Sequence, residues 1–216
     1  QDLHAPIVTT DTASAEMIKL ASNAFLATKI SFINAVANLC EAVSADVLEV
    51  ARGMGYDPRI GAEFLQAGPG YGGSCFPKDT AALLHTADEA GYDFGLLRGV
   101  IGVNVQQRER VVAKVRRSVG GSLLGATVAI WGLTFKARTD DLRDSPAIEI
   151  VPAGAVESSP ISSRIAAARS NSRAFDAIFI CASSCATSFS TKHGSAGSIS
   201  FTTSSRSRNR WLMLRR

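Results

Sequence analysis

The chain has 216 residues, 46% of them apolar, which is enough for one large or two small domains. Its net charge of +4 is uneven: residues 1–150 carry 14 Lys+Arg against 17 Asp+Glu, a net of −3, while residues 151–216 carry 9 against 2, a net of +7. The basic balance therefore belongs to the tail, and a nucleic-acid footprint is excluded for the rest. Four cysteines, Cys40, Cys75, Cys181 and Cys185, are few and irregularly spaced for a disulfide framework. With no secretory signal at the start, a reducing cytoplasm fits. Cys181 and Cys185 lack a second ligand pair and His193 stands alone, so no metal site is read. The apolar run 25–39 is interrupted by Lys29, Asn34 and Asn38, which argues for a buried helix of a soluble protein and against a membrane span.

Residues 1–10 read as extended or loop and offer no start signal of their own. Asp11 or Thr12 can cap a first helix, and from Ala13 to about Val43 no Gly or Pro interrupts apolar residues at helical spacing. A helix of this length, apolar over much of its circumference, needs other helices or a second subunit against it. Lys19 and Asn23 stand four apart and share a face, so they can converge on one ligand; a solvated lysine beside an incidental asparagine is the alternative. Ser44 can cap a second helix over 45–52, ended by Gly53 and Gly55. A turn-rich connector with Asp57-Pro58-Arg59 comes next, in which Arg59 alone reads as a surface charge.

The central stretch is Gly68-Pro69-Gly70-Tyr71-Gly72-Gly73-Ser74-Cys75-Phe76-Pro77-Lys78-Asp79-Thr80. Pro77 suits the first turn of a helix, where its missing N–H costs nothing, so a helix is expected over 77–90 with Gly91 as its stop. Cys75 then sits at the positive end of that helix with Lys78 close by, a setting that favours a thiolate, and Asp79 adds a carboxylate. A structural cysteine in a glycine loop is the plainer alternative. Gly68, Gly70 and Gly73 satisfy the G-x-G-x-x-G spacing, but no strand precedes them and Pro69 sits within the turn, so a dinucleotide-binding loop is set aside.

Another helix is expected from about Leu96 to Arg117, its arginines and Glu109 on a solvated face, and Gly120-Gly121 is a natural joint. Thr127-Val128-Ala129-Ile130-Trp131 reads as a buried strand opening an α/β unit, with Ser145-Pro146 as cap and first turn of the next helix. Beyond Pro152 the chain is rich in Ser, Ala and Arg and is expected to be irregular, although 177–181 could form one strand.

The stretch around Cys75 resembles the active-site segment of the UDP-glucose/GDP-mannose dehydrogenase family. Lys19-Leu20-Ala21-Ser22-Asn23-Ala24-Phe25 is similar to the family's lysine and asparagine segment, and residues 132–145 resemble the start of its UDP-binding domain. The likeness extends from about Leu3 to Val151. It implies a mostly α central domain with a helical dimerisation core over 1–119, the start of a Rossmann-like α/β domain over 120–151, and an aberrant basic tail over 152–216. A family member also has an N-terminal NAD domain, which is not expected within this chain. The abrupt change after Ile150 reads as a frameshifted or misassembled translation, with an RNA-binding tail as the alternative.

The resemblance further implies NAD-dependent oxidation of the C6 alcohol of UDP-glucose to a carboxylate in a cytoplasmic homodimer. Cys75, Lys19, Asn23 and Asp79 would be catalytic. Arg59, Phe64, Leu65, Gln66, Ala67, Gly68, Gly72, Phe135 and Lys136 would bind substrate, Arg59 across the dimer interface. Lys78 and Arg143 would meet NAD phosphates. Without an NAD domain the chain alone is expected to be inactive. A catalytically dead helical dimerisation fragment, or a substrate of the GDP-mannose or UDP-N-acetylhexosamine type, are the alternatives.

Overall fold

In the computed structural model, residues 6–123, 127–131, 133–135 and 139–155 are described, together with strand segments at 166–168, 177–183, 190–193, 199–202 and 210–215. Helix α1 (Thr12–Val43) runs unbroken for 32 residues, about 48 Å at 1.5 Å per residue. Asp11 caps it in extended conformation, its side chain accepting the Ser14 N–H at 2.9 Å. That bond first, and the Ser14 hydroxyl donating to the other oxygen at 2.7 Å second, hold the Asp11 carboxyl below its usual range.

Ser44 does not cap the second helix as its type suggested. It closes α1 instead, in left-handed conformation (φ 58°), and the following Ala45 N–H reaches Cys40 O at 2.9 Å. The cap of α2 (Val47–Gly55) is Asp46, which has the extended backbone a cap needs and accepts the Leu48 N–H at 2.8 Å. Helix α3 (Phe76–Glu89) starts with Pro77 in its first turn, and after Ala90 the chain leaves through Gly91 at φ 69°. Helix α4 spans Gly95–Ser118.

Two compact units divide the chain between Val105 and Gln106, within α4. In the first, one line of α1 faces inward: Leu20, Ala24, Ala27, Ser31 and Asn34, spaced three and four apart. Leu20, Ala24 and Ala27 join Tyr71, Leu83, Leu97 and Val100 in one core, and the Ser31 hydroxyl donates to Val100 O at 3.0 Å. By length and mean hydropathy α1 could cross a membrane, while its inward residues Leu20, Ala24 and Ala27 pack within the unit. A second line, Ile18, Phe25, Phe32 and Leu39, repeats every seven residues and is exposed throughout, between 53% and 65%.

In the second unit Val111, Val112 and Val115 of α4 pack with Leu123, Ile130 of strand β1 (Thr127–Trp131), and Ala147 and Ile150 of helix α5 (Pro146–Ala155). Arg108, expected on a solvated face, is mostly buried and pairs with Glu149. Pro146 opens α5 as expected; Ser145 before it is fully buried, and among the described residues its hydroxyl finds no partner, so the cap is not made by that side chain. Strand β1 pairs in parallel with β2 (Ala166–Ala168) and antiparallel with β3 (Ala177–Ser183), which pairs with β6 (Arg210–Arg215). β4 (Ser190–His193) and β5 (Ile199–Thr202) form a separate hairpin pair. The strand expected at 177–181 is β3, and the other segments lie in the stretch read as irregular. The antiparallel neighbour has a simple cause: residues 169–176 are too few for the crossover that a parallel return requires.

Ser44 pays for its left-handed backbone with a Cβ clash that glycine avoids. Ser44→Gly should therefore raise stability by about 0.5–1 kcal/mol, read as a higher urea midpoint at unchanged slope.

Candidate active site

Helix α3 begins one residue after Cys75, because Pro77 fixes a helical φ in the first turn and the glycines before it do not propagate a helix. Cys75 is the residue at the helix start, is exposed, and makes no capping bond with its side chain. Its hydroxyl neighbour Ser74 lies 3.7 Å from the sulfur. One turn along, the Asp79 N–H donates to Cys75 O at 2.9 Å, which locks the carboxylate's residue to the thiol's.

Asp79 is buried, its side chain only 2% exposed. A carboxylate there must be compensated, and three donors do so. Lys19 Nζ reaches Oδ2 at 2.8 Å and Asn23 Nδ2 the same oxygen at 2.5 Å, while Lys78 Nζ reaches Oδ1 at 2.9 Å. The Lys19 hydrogen bond, then that of Lys78, outweigh burial and hold the Asp79 carboxyl well below the ordinary carboxylate range; Asn23 adds to this. In return the hydrogen bond and charge of Asp79 raise Lys78, with Cys75 a smaller electrostatic contributor. Both lysine side chains are more than half exposed, so each ammonium keeps an open side for a ligand. The four-residue spacing of Lys19 and Asn23 thus converges on a protein carboxylate beside the thiol.

The loop before Cys75 has no regular pairing from 65 to 72. It is pinned by side chains. Phe76 meets Tyr71 and Phe64 edge to face, with centroids 6.1 and 6.2 Å apart. Asn34 Oδ1 of α1 accepts the Gly68 N–H at 2.7 Å; Asn104 of α4 accepts the Tyr71 N–H at 2.7 Å and donates to Tyr71 O at 3.1 Å. Sequence reasoning used Asn34 only as an interruption of an apolar run and missed Asn104; the usable signal was an amide on a helix face otherwise filled with apolar residues. Leu65 is buried, Phe64 takes a left-handed φ of 66°, Gln66 is exposed, and Ala67 and Gly68 are half-buried; Gly72 is buried.

Arg59 is 88% exposed and is held in the 57–61 turn by Asp57, with Nε at 3.0 and 3.2 Å and Nη2 at 2.6 Å from its oxygens. Those bonds lower the Asp57 carboxyl and raise the Arg59 guanidinium. Lys29 steadies the same turn through Ile60 O at 3.0 Å. In the second unit Arg143 repeats this arrangement on Asp141, at 2.8 and 3.0 Å. Phe135 is half-buried there, and Lys136 lies outside the described residues.

The helical unit thus sets an exposed thiol at a helix start, one turn from a buried carboxylate clamped by two amines. Residues 13–106 match the model of the UDP-glucose/GDP-mannose dehydrogenase family, central domain. The chain is 57% identical over 152 residues to UDP-glucose 6-dehydrogenase TuaD of Bacillus subtilis (strain 168), covering 70% of this chain and 33% of that protein. To UDP-glucose 6-dehydrogenase YwqF of the same organism it is 52% identical over 175 residues, 81% of this chain and 37% of the relative. Among solved structures, a UDP-glucose dehydrogenase from Pyrobaculum islandicum is 36% identical with a TM-score of 0.71, over 76% of this chain and 37% of that one. A UDP-D-ManNAc dehydrogenase from Pyrococcus horikoshii is 30% identical with a TM-score of 0.64, over 72% of this chain and 37% of that one. The chain spans about a third of the length of the relatives it matches.

The depressed Asp79 carboxyl gives a signed expectation. Its contribution to stability is fully present above the unfolded value near pH 4 and is lost as pH falls toward its lower folded value. Asp79→Asn should cost about 1–3 kcal/mol at pH 7, by urea unfolding, and the gap from wild type should shrink below about pH 4.

Proposed function

We propose that this chain is the substrate-handling part of an NAD-dependent oxidoreductase that converts UDP-glucose to UDP-glucuronate in the cytoplasm. The observation that carries the reading is the clamp of Lys19, Asn23 and Lys78 on buried Asp79, one helical turn from Cys75. Identities of 57% and 52% to UDP-glucose 6-dehydrogenases, and among solved structures 36% to a UDP-glucose dehydrogenase against 30% to the N-acetylmannosamine enzyme, favour glucose over an N-acetylhexosamine.

Each residue takes a share of the chemistry. Oxidation of the C6 alcohol gives an aldehyde; the sulfur of Cys75 adds to its carbon, and the carbonyl oxygen becomes the oxyanion or hydroxyl of a thiohemiacetal. Lys19 and Asn23, held in place by the hydrogen bonds they donate to Asp79 Oδ2, supply the further N–H donors that hold that oxygen. Loss of a second hydride leaves a thioester. Water, positioned by Asp79 with Lys19, attacks the acyl carbon, releasing the carboxylate and restoring the thiol. NAD, when bound, accepts each hydride. Lys78 and Arg143 are the cations assigned to its phosphates, and each side chain is well exposed. The backbone over 64–72 cradles the nucleotide sugar; Phe135 and Lys136 are the further residues assigned to it, and Arg59 is assigned to the site of a second copy.

The second copy is assigned to the exposed seven-residue line of α1, since four large apolar side chains in register are the pattern by which two helices pack. Removing that line by charge, as in Phe25→Glu with Phe32→Glu, should shift the chain from dimer to monomer in light scattering with its helical circular dichroism retained.

Two measurements test the chemistry. UDP-glucose should slow alkylation of Cys75 by iodoacetamide, followed by peptide mass mapping; no protection at millimolar nucleotide sugar would remove the substrate assignment. In the full enzyme that carries these residues, Cys75→Ser should lose UDP-glucuronate formation by at least about 10³-fold, and undiminished product would sink the nucleophile assignment.

A further inference from the structure

The 68–71 segment lies within the part of the proposed cradle, residues 65–72, that secondary structure does not hold. The Gly68 N–H and both main-chain groups of Tyr71 nonetheless have partners, and these come from two helices far apart in sequence. Asn34, fully buried on α1, accepts the Gly68 N–H at 2.7 Å. Asn104, 4% exposed on α4, treats Tyr71 as a neighbouring strand would, accepting its N–H at 2.7 Å and donating to its carbonyl at 3.1 Å. Between them Gly70 takes φ 113°, and a Cβ added there would stand 2.6 Å from Asn104 Oδ1. The asparagine oxygen occupies the space a side chain at residue 70 would need, so the glycine and the amide are fitted to each other.

Burying two amides in an apolar core is costly, and apolar residues of similar size would pack there without that cost. Asn34 is the sharper case. Its Nδ2 is buried and finds no partner among the described residues, so the position tolerates an orphan donor in order to keep one acceptor on Gly68. A side chain retained only for core stability has no reason to accept that. We infer that Asn34 and Asn104 are positioning residues. They fix the backbone of residues 68–71 in the conformation that receives the nucleotide sugar, shortly before Ser74 and Cys75 in the chain. This rests on the proposed nucleotide-sugar reading and adds to it two residues that touch the loop and not the reacting atoms.

The test uses Asn34→Leu and Asn104→Leu, with Asn104→Asp as the conservative variant that keeps the acceptor toward Tyr71. Amide hydrogen exchange reports the loop, and UDP-glucose protection of Cys75 from iodoacetamide reports binding. The expected result is faster exchange confined to the 66–73 peptide in both leucine variants, with α1 and α4 protected as in wild type. About tenfold more UDP-glucose should then be needed for half-protection, the equivalent of one lost hydrogen bond of ~1.4 kcal/mol. Asn104→Asp should recover part of that loss. Exchange that rises equally through α1 and α4 would mean a general role in folding and overturn the inference. So would a loosened loop with unchanged half-protection. If wild type itself is not protected, the substrate reading falls and takes this one with it; if wild type and both leucine variants are protected alike, only the positioning role falls.

Discussion

A carboxylate cannot be taken out of water unless donors meet it, and Asp79 is the place where that constraint shapes this protein. Its burial obliges α1 to lie against α3 so that Lys19 and Asn23 can reach it, over separations of 60 and 56 residues. Lys78, from α3 itself, closes the other oxygen. The consequence for chemistry is that positive charge is gathered and held one turn from an exposed sulfur. Neither lysine is free to wander, yet each remains open to solvent on the side away from the carboxylate.

The same logic of satisfying buried polar groups governs the loop that precedes the thiol. A segment without ladder bonds must borrow partners, and it takes them from asparagines on α1 and α4 and from an aromatic contact with the first residue of α3. Three helices therefore converge on one short run of backbone. This ties the glycines of the segment to specific side chains: at Gly70 the requirement comes from a positive φ and from the Asn104 oxygen together. A loop so held can present main-chain groups to a ligand without first losing conformational freedom.

The long first helix carries two different lines of residues, and their exposure separates their roles. The inward line builds the core with α3 and α4, while the outward line at seven-residue spacing leaves a continuous apolar surface. A helix this apolar satisfies a length-and-hydropathy criterion for membranes, but its amines and amides are engaged inside the unit, on Asp79, on the 57–61 turn and on the 68–71 loop.

Local chemistry fixed what local sequence can fix. The unbroken run after Asp11, the proline in the first turn of α3, the stop at Gly91 and the β-branched run of β1 each state their element within a few residues, because caps, prolines and periodicity act over one or two turns. Ser44 and Asp46 show the limit: two nearby candidates for one cap differ only in backbone conformation, which the end of the preceding helix decides. The thiol, amine and carboxylate were legible as residues, and the family likeness grouped them. That Asp79 is buried, that both lysines and Asn23 bond it, and that Asn34 and Asn104 hold the loop came only from the packing of helices. Which polar groups lose their water depends on what lies across the interface, and that partner is tens of residues away in the chain.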